Sequence, residues 1–295
     1  MSEFSLAVLG GDSRQTWMAT VLQRHHALSA VYQVPDYQGS VPILSDVTQL
    51  CHYTCIAGPV PLARNSLVVL PDDAQPLPLS LLLQILQPGQ ILAGGNLPAA
   101  FVEQCQKRQI VTYDFLCSPT LALANAEITA EGMLAILLQQ TPYILLNTEL
   151  LLLGFGRCGM LLAQKLQAIG VQVTVCEIDA NKRNLAGAMG FATVLPKGLP
   201  TVLPNCELLV NTAPTLVLTY DLLCLLPKNA MLFELASPPG GIDAQATKEL
   251  QLFYQNCPAL PGRTASQTAG ELLAKDLLHY LATTDTPGKD DFYDC

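Results

Sequence analysis

A glycine-rich stretch near the middle of the chain constrains its fold more than any other feature. Residues 150–153 are four leucines, and residues 154–159 read Gly-Phe-Gly-Arg-Cys-Gly. Apolar residues at helical spacing follow directly. A strand that runs through Gly-x-Gly-x-x-Gly into a helix is the context in which this motif binds dinucleotides. The alternative is a tight strand–helix turn in an α/β protein that binds no nucleotide.

Each glycine has a physical role in this prediction. Gly154 permits the turn out of the strand, Gly156 lets the backbone approach a pyrophosphate, and Gly159 lets the helix lie close to the strand. The free N–H groups and the positive end of the helix dipole then hold the phosphates. The three intervening residues are also candidate cofactor contacts: Phe155, Arg157 and Cys158.

The next predicted strand, residues 171–176, ends in an acidic residue, Glu177, followed by Ile178. A carboxylate about twenty residues after the glycines can accept the ribose hydroxyls of NAD, and it repels the extra phosphate of NADP. Lys182 and Arg183 follow closely and could partly offset that repulsion. The cofactor is therefore predicted as NAD or NADP, with NAD favoured.

Two later strands run into polar turns, residues 211–214 and residues 236–241. The carboxyl ends of parallel strands meet at one edge of a sheet, so these turns are expected beside the nicotinamide ribose. The alternative is that they are ordinary turn residues. The candidate cofactor contacts in them are Asn211, Thr212, Ala213, Pro214, Ala236 and Ser237.

Composition narrows the class of protein. The chain has 295 residues, 50% of them hydrophobic and only 13% charged, which suits two α/β domains with buried parallel sheets. A net charge of -9 without a basic cluster argues against nucleic acid or an anionic membrane as partner. The apolar region 134–153 is interrupted by polar residues and Pro142, so it reads as a helix end and a strand rather than a membrane span.

The N-terminus has no basic segment before an apolar core, so no secretion signal is expected and the protein is predicted to be cytoplasmic. The 10 cysteines are scattered, and we expect reduced, partly buried thiols. The segment 51–55, Cys-His-Tyr-Thr-Cys, lacks a second pair of ligands, so no metal site is predicted.

The predicted fold class is α/β, with two Rossmann-like, doubly wound parallel-sheet domains and a cleft between them. Alternating short strands and helices predict an N-terminal domain over residues 1–124. A connector helix region (125–148), N-capped by Thr129, leads to a dinucleotide-binding domain with a C-terminal helix (149–282). The acidic tail 283–295 is predicted to be disordered.

The first domain opens with a strand over residues 4–9, the turn Gly-Gly-Asp-Ser-Arg-Gln (10–15) and a helix N-capped by Asp12 or Ser13. The helix dipole does not favour a cation at this end. Arg14 is therefore predicted to be either solvated or directed at an anionic ligand.

Five motifs together resemble the A-subunit family of bacterial dipicolinate synthases. They are the turn 10–15, the glycine turn 154–159, Asn-Thr-x-Pro at 211–214, Ala-Ser-x-Pro-Gly-Gly at 236–241, and Leu-Pro-Gly…Thr-Ala-Gly between 260 and 270. The last two are more specific than the glycine motif. More distantly, the layout is similar to D-2-hydroxyacid and alanine dehydrogenases.

The resemblance implies an NADP-using enzyme of spore formation that oxidises a dihydrodipicolinate-type precursor to pyridine-2,6-dicarboxylate. It also implies a partner, the flavoprotein-like B subunit, and we expect a homo-oligomer such as a dimer. A dicarboxylate substrate needs cationic or N–H donors. The candidate substrate contacts are Arg14, Gly240, Gly241, Gly262 and Arg263.

The chain departs from the family pattern at three places. Glu177 bears on the choice between NAD and NADP, and the segments 263–266 and 125–129 bear on substrate contacts. No histidine accompanies the motifs, so the catalytic base is unknown; Glu131, Asp12 and a bound water are candidates. Two other functions remain open: a dehydrogenase of another 2-hydroxy or 2-amino acid, and a non-catalytic nucleotide-binding regulatory subunit.

Overall fold

The computed structural model describes residues 4–284 of the chain. Residues 285–295, most of the tail predicted to be disordered, lie outside the described residues. The chain divides into two compact units. Unit 1 comprises Met1–Ala124 together with Ala265–Cys295, and unit 2 comprises Asn125–Thr264.

Strands and helices alternate along most of the chain, as the sequence predicts. The first half of the chain contains β1 (Leu6–Leu9), α1 (Ser13–Arg24), β2 (Ala30–Tyr32), β3 (Cys55–Ala57), β4 (Ala63–Arg64), β5 (Leu67–Val68), α2 (Leu79–Ile85), β6 (Ile91–Gly94), α3 (Ala99–Lys107), β7 (Val111–Asp114) and α4 (Pro119–Gln140). The second half contains β8 (Glu149–Leu153), α5 (Arg157–Ala168), β9 (Gln172–Cys176), α6 (Ala180–Ala188), β10 (Ala192–Val194), α7 (Leu199–Val202), β11 (Leu208–Asn211), α8 (Tyr220–Leu223), β12 (Met231–Glu234), α9 (Ala244–Glu249), β13 (Phe253–Asn256), α10 (Leu260–Thr264) and α11 (Ser266–Thr284).

Unit 1 is built on a five-stranded parallel sheet in the order β2-β1-β3-β6-β7. β1 is completely buried because helices cover both faces of a parallel sheet. The short strand β5 lies outside this sheet and pairs antiparallel with β4 in a separate hairpin. Two-residue strands of this kind add no layer to the main sheet.

Unit 2 is built on a six-stranded parallel sheet in the order β10-β9-β8-β11-β12-β13. Numbered from β8, this is the order 3-2-1-4-5-6 of the dinucleotide-binding Rossmann fold. The order reverses between β8 and β11, and ligands of such sheets bind beyond the carboxyl ends of the strands at this point. The predicted fold class, two doubly wound parallel-sheet domains, is confirmed.

The C-terminal helix α11 belongs to unit 1, whereas the predicted bounds 149–282 put it in the dinucleotide-binding domain. Leu273, Ala274 and Leu277 are buried in one hydrophobic cluster with residues of β1 and α1. On the same helix, Asp276 accepts hydrogen bonds from the Tyr113 hydroxyl, at 2.6 Å, and from Ser118. Helical spacing predicts an apolar face but not which sheet that face covers.

Helix α4 begins at Pro119, well before the predicted N-cap. Thr129 therefore lies inside the helix, where its hydroxyl donates to the Asn125 carbonyl at 2.7 Å, and the predicted N-cap there is wrong. By length and composition alone, α4 could cross a membrane. Ala130, Met133 and Leu137 are nevertheless fully buried in the main hydrophobic cluster of unit 2.

Replacement of Leu277 by alanine tests the position of α11. Leu277 is fully buried among apolar residues of unit 1, so Leu277→Ala should lower the free energy of unfolding by about 2–5 kcal/mol. The exposed Lys275 on the same helix provides the control, and Lys275→Ala should change it by less than about 0.5 kcal/mol. Urea unfolding followed by circular dichroism measures both. Equal stability of the two variants would contradict this packing.

Candidate functional site

The glycine turn, residues 154–159, leaves the end of the central strand β8 in the geometry that the motif predicts. Gly154 has φ of 88°, a left-handed conformation that favours glycine, and its N–H donates to the carbonyl oxygen of Cys176 at 2.9 Å. A side chain at Gly159 would overlap the carbonyl oxygen of Gly154. Only glycine at position 159 therefore lets α5 lie this close to the strand.

The N-terminus of α5 has no side-chain cap. Three other helices are capped by aspartates, α1 by Asp12, α6 by Asp179 and α9 by Asp243. Helix α5 begins after Gly156, which has no side chain to do this. Within the described part of the chain, the N–H groups of residues 156–158 donate to no other group. Helix ends with open N–H groups and an unopposed dipole bind anions.

The space in front of this helix end is open. Gly156 is exposed, and a methyl group built on it would meet nothing within 4 Å. Arg157 is exposed beside it and makes no ion pair among the described residues. Cys158 is half-buried, and burial raises the pKa of its thiol despite the charge of Arg157, so it is a poor nucleophile at neutral pH. The glycine turn therefore fits phosphate binding rather than covalent chemistry.

Glu177 lies at the end of β9, next to the glycine turn. It is buried, and one carboxylate oxygen accepts the N–H of Phe155 at 2.8 Å while the other accepts the N–H of Asp179 at 2.9 Å. A carboxylate has about four acceptor sites, so each oxygen keeps one for a further donor. The predicted ribose acceptor thus also fixes the shape of the turn.

Residues that follow Glu177 in the chain place a positive charge and an apolar side chain beside it. Arg183 donates to the carbonyl oxygens of Glu177 and Ile178, at 3.0 and 3.1 Å. Its guanidinium is thereby held against the backbone at the strand end. Ile178 itself is 77% exposed, so an apolar surface is open directly beside the carboxylate.

The loop 211–214, here called the Asn-Thr loop, contacts the glycine turn directly. The Thr212 hydroxyl donates to the carbonyl oxygen of Leu153 at 2.9 Å, and a methyl group on Gly154 would lie 2.8 Å from that hydroxyl. Pro214 is exposed, and Ala213 is half-buried. The structure therefore brings the predicted glycine turn, Glu177 and the Asn-Thr loop together at one edge of the sheet.

A second buried carboxylate, Glu234 at the end of β12, was missed by sequence reasoning. Its side chain is 2% exposed and accepts from the Nδ2 of Asn211 at 2.6 Å. It also accepts three backbone N–H groups of the loop 236–242, here called the Pro-Gly loop, which includes the candidates Ala236 and Ser237. The available signal was a lone acidic residue in the apolar strand Met-Leu-Phe-Glu-Leu, residues 231–235.

The predicted N–H donors to substrate are already engaged within the chain. The N–H of Gly240 donates to Ser237, and that of Gly241 donates to Glu234 at 2.9 Å. The N–H of Gly262 donates to Ala259 at 3.2 Å. All three N–H groups are therefore paired within the chain, because each loop closes on itself or on the buried carboxylate, and their role as substrate contacts stays a prediction. Arg263, by contrast, is exposed.

Arg14 in unit 1 is neither solvated nor free. It is 8% exposed and holds Asp12 in a bidentate ion pair, with Nε–Oδ1 at 2.9 Å and Nη2–Oδ2 at 2.7 Å. It also donates to the carbonyl oxygen of Val60. Burial raises the pKa of Asp12, but the hydrogen bonds and charge of Arg14 outweigh this, so the pKa lies below its ordinary value. Asp12 therefore remains ionised and N-caps α1.

Glu131, the other side chain considered as catalytic base, is paired with a lysine, and no histidine lies in unit 2. Glu131 pairs with Lys165 at 3.3 Å, and Lys165 also pairs with Glu127 at 2.5 Å. The four histidines of the chain are His25, His26, His52 and His279. All four fall in unit 1. Among the described residues, no group of three or more potential ligands is placed to hold a metal ion.

The chain is similar to known proteins in sequence and in fold. No protein-family model matches the chain. The A subunit of dipicolinate synthase from Bacillus subtilis is 29% identical over 162 residues, which is 55% of this chain. The match spans about half, 54%, of the length of that relative.

Solved structures extend the likeness over the whole fold. The dipicolinate synthase A chain of Bacillus subtilis superposes with a TM-score of 0.84 at 22% identity, covering 97% of this chain and 98% of that one. The corresponding protein of Bacillus halodurans has the same TM-score at 23% identity, covering 95% and 98%. The resemblance to the A subunit of dipicolinate synthase is confirmed. L-alanine dehydrogenase shares the fold more distantly, with a TM-score of 0.61 at 15% identity, covering 97% and 91%.

Two alanine substitutions separate the packing role of the glycine turn from its binding role. Gly156→Ala adds a methyl group to open space at an ordinary φ of -76°, so the unfolding midpoint should stay within about 2 °C while NADH affinity falls. Gly159→Ala forces α5 away from the strand and should itself cost about 1–3 kcal/mol of stability.

Gly187, in α6, is the matched control because a methyl group there also meets nothing within 4 Å. Gly187→Ala should leave NADH affinity unchanged. Calorimetric titration and thermal unfolding measure the four proteins. Unchanged NADH affinity in Gly156→Ala would refute phosphate binding at this turn.

Proposed function

We propose that unit 2 binds a nicotinamide dinucleotide and that the protein is an NAD(P)-dependent oxidoreductase. The observation that carries this proposal is the uncapped N-terminus of α5 at the point where the strand order reverses, with Glu177 beside it. Phosphates account for the open N–H groups, and ribose hydroxyls account for the remaining acceptor sites of the carboxylate. The likeness to dehydrogenase folds adds support.

In this proposal, each part of the site has a distinct binding task. The glycine turn holds the pyrophosphate, with Arg157 adding positive charge at its exposed side. Glu177 accepts the adenosine ribose, and the Asn-Thr loop and Pro-Gly loop border the nicotinamide end. The bound dinucleotide would supply a hydride acceptor.

The substrate that we propose is a dihydrodipicolinate-type dicarboxylate, oxidised to pyridine-2,6-dicarboxylate. Support comes from the resemblance to the A subunit of dipicolinate synthase and from the two specific motifs at 236–241 and 260–270. The oxidation removes a hydride and a proton from the ring. Glu131 and Asp12 each already pair with a cation, so we assign the proton to water. Arg263 is exposed and suits a substrate carboxylate, whereas Arg14 is already bound to Asp12.

The proposed partners follow from the name of the Bacillus subtilis relative, which is one subunit of a synthase. We infer a second, flavoprotein-like B subunit, and we infer that this chain also associates with itself as a dimer. Spore formation in the cytoplasm is the setting that the family resemblance implies. Copurification of the two proteins at a fixed ratio would support this assignment.

An activity assay tests the proposed reaction. The purified protein, with and without the B subunit, is incubated with dihydrodipicolinate and either NAD or NADP. Formation of dipicolinate should appear in the ultraviolet spectrum, and the same rate should be read from the reduced nicotinamide. Gly156→Ala, which keeps the fold, should reduce this rate.

Binding without turnover, even with the B subunit present, would contradict the enzyme and support a nucleotide-binding regulatory subunit. Turnover of 2-hydroxy or 2-amino acids in place of dihydrodipicolinate would support another dehydrogenase. The absence of histidine from unit 2 argues against the histidine–carboxylate pair expected of such an enzyme.

The choice between NAD and NADP tests the role of Glu177. A charged hydrogen bond is worth about 1.5–3 kcal/mol, so Glu177→Ala should shift the ratio of NAD to NADP affinity by about 10- to 100-fold towards NADP. Asp179→Ala, which removes the N-cap of α6, is the control for local disturbance. Affinities for NADH and NADPH are measured by titration. A ratio that does not move would refute the ribose assignment.

A further inference from the structure

The carboxylate of Glu234 is fully occupied by hydrogen bonds from its own chain. Oε1 accepts from Asn211 Nδ2 at 2.6 Å and from the Ala236 N–H at 2.9 Å. Oε2 accepts from the N–H groups of Gly241 and Ile242, at 2.9 and 3.1 Å. These four donors match the roughly four acceptor sites of a carboxylate. Glu234 therefore has no acceptor site left for a ligand.

The four donors come from two different loops. Asn211 opens the Asn-Thr loop, and its amide also exchanges hydrogen bonds with the backbone of Ala213. Residues 236, 241 and 242 begin and end the Pro-Gly loop. The packing between the loops is tight, since a methyl group on Gly241 would lie 2.5 Å from Asn211 Nδ2. One side chain thus sets the position of both loops.

This arrangement is unlike ordinary core packing. Glu234 is 2% exposed and has no cationic partner among the described residues. Buried charges are costly, and apolar replacements are often at least as stable. The carboxylate lies at the carboxyl end of β12, the edge at which ligands of this fold bind. Its location therefore indicates a role in the binding site.

We propose that Glu234 is a positioning residue for the nicotinamide half of the dinucleotide. This inference rests on the proposed function. The two halves of a Rossmann sheet each bind one half of the cofactor, across the point where the strand order reverses. Glu177 lies at the end of β9, on the adenosine side, whereas Glu234 and Asn211 lie at the ends of β12 and β11, on the other side. We therefore expect loss of Glu234 to weaken the binding of the nicotinamide half more than that of the adenosine half.

Two ligands separate the halves experimentally. NADH carries the nicotinamide, whereas ADP-ribose has the adenosine, the pyrophosphate and one further ribose without the base. Glu234→Gln keeps the size of the side chain, but its NH₂ group meets N–H donors in place of an acceptor. The expected result is an NADH affinity at least about tenfold weaker, with ADP-ribose affinity within about twofold of wild type. Calorimetric titration measures both.

The control variants make the result specific. Glu177→Ala should weaken the binding of both NADH and ADP-ribose, because it acts on the adenosine half that the two ligands share. Glu207→Gln changes an exposed carboxyl at the opposite end of β11 and should weaken neither. If Glu234→Gln binds ADP-ribose as tightly as the wild-type protein does, the variant is also shown to be folded. If that variant does not fold, Gly241→Ala decides, since it keeps Glu234 and displaces Asn211.

Three results would overturn the inference. If Glu234→Gln binds NADH and ADP-ribose with equally reduced affinity, Glu234 has a general structural role. If both affinities are unchanged, Glu234 has no role in binding. Wild-type protein that binds neither ligand would refute the proposed dinucleotide function itself, and the inference with it. Weakened NADH binding together with unchanged ADP-ribose binding, in Glu234→Gln or in Gly241→Ala, supports the inference.

Discussion

The close approach of α5 to the end of β8 is the constraint on which the rest of unit 2 depends. With no side chain at position 159, the helix lies against the carbonyl oxygen of Gly154, and the left-handed conformation at Gly154 redirects the chain within one residue. The same contact brings Thr212 against the turn and leaves the end of the helix open. A larger residue at either glycine would collide with its neighbours and move α5 or the Asn-Thr loop away from the end of β8.

Two buried carboxylates organise the loops around this contact by the same physical means. Glu177 accepts backbone N–H groups from the glycine turn and from its own strand end, and Glu234 accepts backbone N–H groups of the Pro-Gly loop and the side-chain amide of Asn211. In both cases, the loops contribute N–H groups that secondary structure leaves unpaired, and the carboxylate satisfies them. The difference is that Glu177 retains acceptor sites whereas Glu234 has none left, so only the first is suited to contact a ligand.

Much of this was predictable from the sequence, because local patterns carry it. The four leucines before three glycines predict a buried strand, a turn and a close helix, and Glu177 follows at the distance that the fold requires. What could not be predicted depends on contacts between distant segments. Three contacts join residues far apart in the chain: the hydrogen bond from Asn211 to Glu234, the hydrogen bond from Arg14 to the carbonyl oxygen of Val60, and the packing of α11 on the core of unit 1. A lone acidic residue in an apolar strand signals an unusual partner without identifying it.

The assignment of α11 to unit 1 has a consequence for synthesis of the chain. Unit 2 is one continuous segment, so all of its strands have been made once residue 264 leaves the ribosome. Unit 1 begins first but finishes last, because Leu273 and Leu277 of its core arrive only with the final helix. The apolar surface that α11 covers in unit 1 therefore stays exposed throughout translation of unit 2. The segment made second is the one that can complete its fold first.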